Sequence, residues 1–99
     1  MLNIEKTIEN GKAAFALKGR LDTTTAPELD KEFEKSLDGV SELELDCAKL
    51  EYISSAGLRV LLSVQKRMNK QGSMKIFNVN EIVMEIFDVT GFSDILTIE

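Results

Sequence analysis

The chain has 99 residues, 43% of them apolar and 29% charged, with a formal net charge of −5. That is one domain (residues 1–99) with enough apolar content for a core and too little Gly and Pro for long disorder. The acidity argues against the basic footprint that nucleic acid or an anionic membrane surface demands, and no apolar run reaches the ~18 residues of a spanning helix.

Leu2-Asn3-Ile4-Glu5-Lys6-Thr7-Ile8 alternates loosely and predicts a strand. Asn10-Gly11 is a hairpin turn signal, and Ala13-Ala14-Phe15-Ala16-Leu17 returns as a second strand that Gly19 ends. Thr23-Thr24-Thr25 leads into a helix. Thr25 and Glu28 have the spacing of a capping box, with Pro27 tolerated in the first turn. Leu29, Phe33 and Leu37 form its apolar stripe, and Gly39 closes it.

Glu42-Leu43-Glu44-Leu45-Asp46-Cys47 alternates with period two, which predicts a strand with Leu43, Leu45 and Cys47 on one face. Ser54 to about Lys70 reads as the longest helix. Leu58, Leu61, Leu62, Val64 and Met68 give it a broad apolar side, and Gly72 stops it. Ser73-Met74-Lys75-Ile76-Phe77 is a fourth strand. Asn80 caps a third helix that ends at Thr90-Gly91, and Ile95-Leu96-Thr97-Ile98 reads as an edge strand.

The order ββαβαβα, with that final strand, predicts an α/β domain. Its sheet would be mixed, four- to five-stranded and mostly parallel after the first strand, with helices packed against it. Loops leaving the carboxyl ends of parallel strands collect on one rim. The segments Gly19 to Thr25, Lys49 to Gly57 and Asn78 to Glu81 belong there.

Catalytic chemistry is scarce. The chain has no histidine, which removes the commonest general base and every imidazole metal site. Neither GxxxxGK nor GxGxxG occurs, so ATP hydrolysis has no support. Cys47 is the only cysteine, so no internal disulfide forms and a cytoplasmic setting is expected. On an apolar strand face it reads as a small core residue. The first residues carry no basic segment followed by an apolar core, so no secretory leader is expected. Glu42, Glu44 and Asp46 fall on the strand face opposite the leucines, which helices would partly cover. With Glu51 they could form an acid/base pair, but a solvated face is favoured because no nucleophile or ligand set accompanies them. No catalytic residue, cofactor or metal is expected.

The distinctive stretch is Tyr52-Ile53-Ser54-Ser55-Ala56-Gly57-Leu58, where a buried strand hands over to an apolar helix. That junction carries free backbone N–H groups and the positive end of a helix dipole. Only one of the two serines can be the N-cap. The other then stands at the first helical position with its hydroxyl free. Gly57, lacking a β-carbon, would let another chain come close. Asp22 reads either as a turn or cap residue or as a polar contact on the rim.

These residues carry a resemblance. Gly19-Arg20-Leu21-Asp22 is similar to the G-x-(L/I)-D of the STAS domain family, specifically the bacterial anti-sigma factor antagonists. The run from Leu45 to Leu58 resembles that family's L-D-(L/C)-x-x-(L/V)-x-(F/Y)-(I/M)-(D/S)-S-(S/A/T)-G-L. Asn78-Val79-Asn80, Ile86-Phe87 and Thr90-Gly91 match its last helix.

The resemblance implies a binding module, not an enzyme, with Ser55 as the phosphate acceptor. Its partners would be an anti-sigma factor that is also a serine kinase, bringing its own ATP and Mg, and a metal-dependent serine phosphatase. The unmodified form would bind the anti-sigma factor and free the sigma factor. Asp22, Thr23, Thr24 and Asn80 would frame the partner surface around Ser54, Ser55, Ala56 and Gly57. The chain departs from the pattern at Ser54, where many members carry aspartate, which makes Ser54 the second-choice acceptor. The alternative within the family is a non-phosphorylated scaffold or ligand-sensing module.

Overall fold

A computed structural model describes residues 2–99. Strands β1 (Leu2–Glu9) and β2 (Lys12–Leu21) form a hairpin. Helix α1 (Ala26–Ser36), strand β3 (Glu42–Ile53), helix α2 (Ser55–Gln71), strand β4 (Ser73–Phe77) and helix α3 (Glu81–Thr90) follow, and a 3-10 turn (Phe92–Asp94) precedes the tail. The four strands lie in the order β1-β2-β3-β4. β1 is antiparallel to β2, and the other two pairs are parallel.

The hairpin turn follows from its two residues. Glu9 faces Lys12, and Asn10 (φ 50°) and Gly11 (φ 80°) both take the left-handed conformation that a tight primed turn requires. The two crossovers step the same way along the sheet, so right-handed connections put their helices on one face. Burial agrees. Phe15, Leu17, Leu43, Leu45, Cys47, Leu50 and Ile76 are at most 1% exposed beneath the helices. From the helix side Leu29 and Phe33 of α1, Leu61 and Met68 of α2, and Val83 and Phe87 of α3 complete the core. Phe15 and Phe33 lie with ring centroids 5.0 Å apart. The opposite face, with Glu5, Lys12, Glu42, Glu44, Asp46 and Lys75, is exposed or half-buried. The expectation that helices partly cover Glu42, Glu44 and Asp46 is therefore corrected: all the helix packing is on the leucine side.

β2 and β3 are longer than their alternation predicts. β2 runs through Gly19, which sits at φ 106°, and irregularities between Ala16 and Lys18 and between Gly19 and Arg20 shift its register on β3. β3 outruns β4: its last pair with β4 is Asp46–Phe77, and it continues to Ile53 paired with β2 alone. The tail contributes a single parallel bridge, Ile98 to Ile76, rather than a full edge strand. The Thr25–Glu28 capping box does not form, because Thr25 uses its hydroxyl elsewhere and makes no side-chain cap bond.

Candidate functional site

The exits of β2 and β3 and the start of α3 meet at one end of the sheet. The Ser54 N–H donates to Leu21 O at 2.9 Å, which joins the first two exits. The Asn80 side chain joins the third: Nδ2 donates to Leu50 O at 2.7 Å, on the part of β3 that β4 does not reach. The same side chain caps α3, Oδ1 accepting from the Val83 N–H at 2.8 Å.

The loop after β2 is tightly interlocked. Asp22 Oδ1 accepts from the backbone N–H groups of Thr24 (3.0 Å) and Thr25 (3.1 Å). The Thr25 hydroxyl accepts from the Asp22 N–H (2.9 Å) and donates to Arg20 O (2.8 Å). Ala26 N–H then donates to Asp22 O, which starts α1. The Thr25 N–H above all holds the Asp22 carboxyl below the usual range. The Thr24 N–H, the Thr25 hydroxyl and the positive charge of Arg20 add to that, against a partial loss of hydration. Thr25 is buried, whereas Thr23 and Thr24 are exposed. Asp22 thus does the work of a turn residue, with Oδ1 committed to its own loop.

The second junction is more open. Ser54 is the N-cap of α2, in extended conformation, and its hydroxyl accepts from the Gly57 N–H at a long 3.5 Å. Ser55 is the first helical residue and is exposed. It stands where backbone N–H groups lack intrahelical acceptors. The first turn of α2 holds no acidic residue, unlike those of α1 and α3. Arg59, one turn further along the same helix face and also exposed, forms no salt bridge among the described residues.

Gly57 answers to a different constraint from the one expected. It is buried, and a β-carbon there would lie 2.7 Å from Leu21 Cγ, 2.8 Å from Ile53 Cγ1 and 3.0 Å from Leu21 O. The space is taken by the domain's own core, not left for a partner. Ala56, half-buried, flanks it.

Two features escaped the sequence reading. The Arg20 guanidinium lies 4.5 Å from the centroid of the Tyr52 ring, a stacking that only the shifted β2–β3 register brings about. Asp46 Oδ1 accepts from the Ala48 N–H (3.0 Å) and from Asn78 Nδ2 (3.1 Å), pinning the β4–α3 loop, and these bonds hold its carboxyl low. Neither has a spacing signature. Cys47 is fully buried, and burial together with the neighbouring Asp46 charge pushes its thiol up to about 12, so it is inert as a nucleophile at neutral pH. Among the described residues no group of three or more Cys, Asp or Glu could hold a metal ion, and no helix is long and apolar enough to cross a membrane.

Comparison with known proteins gives the family and the fold. A family model described as the STAS domain covers residues 3–99. BtrV of Bordetella bronchiseptica, provisionally named an anti-sigma factor antagonist, is 34% identical over 91 residues, 90% of this chain and 78% of that one. The anti-sigma-B factor antagonist of Bacillus subtilis is 28% identical over 98 residues, covering 98% of this chain and 90% of that one. Among solved structures, an anti-sigma factor antagonist from Mycobacterium paratuberculosis superposes with TM-score 0.88 at 18% identity, over 99% of this chain and 85% of that one. SpoIIAA in its unphosphorylated form does so with TM-score 0.83 at 14% identity, over 98% and 88%.

Proposed function

This chain belongs to the STAS domain family, and from that premise we propose that it is an anti-sigma factor antagonist whose binding is switched by phosphate at Ser55. It acts as a binding module in the cytoplasm. In the unmodified state the rim of Asp22, Thr23, Thr24, Ser54, Ser55, Ala56 and Asn80 meets the anti-sigma factor, with Gly57 supporting the rim from within. A kinase activity of that partner, with its own ATP and Mg, modifies Ser55, and a metal-dependent phosphatase reverses the step.

The observation that carries this reading is the division of labour between the two serines. Ser54 is occupied as the helix cap, while Ser55 is exposed at the first position of α2. A phosphate on Ser55 brings about −1.5 to −2 charge to a helix N-terminus, where negative charge is favoured by about 0.3–1 kcal/mol. It would also have Arg59 one turn away. The domain therefore stays folded when modified. What changes is the surface: a partner fitted to a small hydroxyl meets bulk and a phosphate it must desolvate. A loss of about 3–4 kcal/mol lowers affinity a few hundredfold.

The test is incubation with the cognate kinase and ATP, read by intact mass. The expected result is one phosphate on the wild type and on Ser54→Ala, and none on Ser55→Ala. Full phosphorylation of Ser55→Ala moves the acceptor to Ser54 or elsewhere. No phosphate on the wild type leaves a non-phosphorylated STAS scaffold or ligand sensor as the function.

A further inference from the structure

The net charge of this chain is not spread over it. Residues 1–75 hold all 12 basic residues and 12 of the 17 acidic ones. Residues 76–99 hold Glu81, Glu85, Asp88, Asp94 and Glu99 and no basic residue. Glu99 reaches Lys75 at 3.5 Å; the other four have no cationic partner among the described residues. Three of those four lie on α3, exposed at positions 81, 85 and 88.

Beside that acidic row runs an apolar one. Ile82 is 61% exposed and Val89 80%, with half-buried Ile86 between them. The spacing i, i+4, i+7 puts the three on one stripe of the helix. The core uses the other side of α3, where Val83 and Phe87 are fully buried. A single exposed aliphatic residue is ordinary, but a stripe of three edged by carboxylates of one sign does nothing for the fold.

The charge decides what can cover it. A second copy docking helix to helix would bring two acidic rows together, and anionic membranes and nucleic acids are repelled. A protein surface with an apolar groove rimmed by lysine or arginine is complementary to both rows. The stripe is also continuous with the rim: Asn80, which caps α3, is bonded to Leu50 O in the strand that ends beside Ser54 and Ser55. We infer that the outer face of α3 is a second docking surface for the anti-sigma factor, taking an apolar, basic-rimmed groove on that partner. The inference rests on the function proposed above and assigns it a further contact, away from the phosphate acceptor.

The experiment measures binding kinetics of the purified, unphosphorylated full chain with its cognate anti-sigma factor at low and high salt. Two α3 variants are compared, Glu81→Gln/Glu85→Gln/Asp88→Asn and Ile82→Ser/Val89→Ser, with Ser55→Asp alongside. All the α3 changes are at exposed positions, and circular dichroism confirms folding. The charge variant is expected to associate about tenfold more slowly at low salt and to lose most of the salt dependence. The apolar variant is expected to dissociate at least about tenfold faster. If both bind like the wild type, or only one changes, the surface is not as inferred; the Ser55 reading still stands where Ser55→Asp weakens binding. If Ser55→Asp binds normally while both α3 variants weaken, the switch fails and this inference holds. A wild type that does not bind overturns both. A concentration-dependent dimer that Ile82→Ser/Val89→Ser abolishes assigns the face to a second copy and overturns the inference.

Discussion

The starts of α1 and α2 sit at neighbouring strand exits on the same rim, yet they are built in opposite ways. Before α1, one carboxylate and one hydroxyl close a loop of four short hydrogen bonds through Asp22 and Thr25. Before α2, the side-chain cap is a 3.5 Å contact from the Gly57 N–H to Ser54, and the next serine, Ser55, is exposed. Hydrogen bonding is concentrated in the loop that frames the rim, and accessibility in the one that carries the free hydroxyl. The proposed switch needs this pairing, because a modification changes affinity cleanly only where the surrounding frame does not yield.

The largest expected effect sharpens the contrast from the open side. Ser55→Asp is expected to weaken anti-sigma factor binding by about 3–4 kcal/mol, measured by calorimetry, with its thermal midpoint close to wild type. A midpoint drop large enough to account for the lost binding would mean that the α2 start is as structural as the α1 start. Next comes Gly57→Ala, where the new methyl meets Leu21 and Ile53. Overpacking of this kind costs about 1–3 kcal/mol in urea unfolding.

Asp22→Asn comes third, and pH reveals it. The folded carboxyl titrates below its unfolded value, so its contribution is present above the unfolded pKa. It fades as pH falls through the lowered folded one. Wild-type stability should therefore fall more steeply than that of Asp22→Asn on acidification below about pH 4. The smallest effect is Ser55→Ala, within about 0.5 kcal/mol of wild type in the same unfolding assay, since an exposed hydroxyl outside the cap contributes little.

Much of this was legible in the sequence because local chemistry and tertiary demand agree. Asn10-Gly11 could only be a tight turn, Leu43-Leu45-Cys47 alternates onto the core, and Asn80 caps the helix it precedes. The reading failed where long-range contacts override local signals. Gly19 looks like a strand end but lies within β2 at φ 106°, and the irregular β2–β3 register breaks the period that would have extended β3 to Ile53. Thr25 and Glu28 have capping-box spacing, yet Asp22 and Arg20 claim the threonine hydroxyl first. The serine junction was visible as a strand-to-helix boundary. That the glycine two residues later packs inward was not, because nothing near it in the chain announces Leu21 as a neighbour.

The stretch of β3 that projects beyond β4 behaves as a cantilever, hydrogen-bonded to a parallel strand on one side and to the Asn80 amide on the other. Asn80 is therefore a mechanical coupler: whatever steadies or loosens α3 is felt at Leu50, four residues before the cap of α2. Cutting that tie with Asn80→Ala would let the overhang breathe, and its backbone protons should exchange with solvent faster than those in the middle of the sheet.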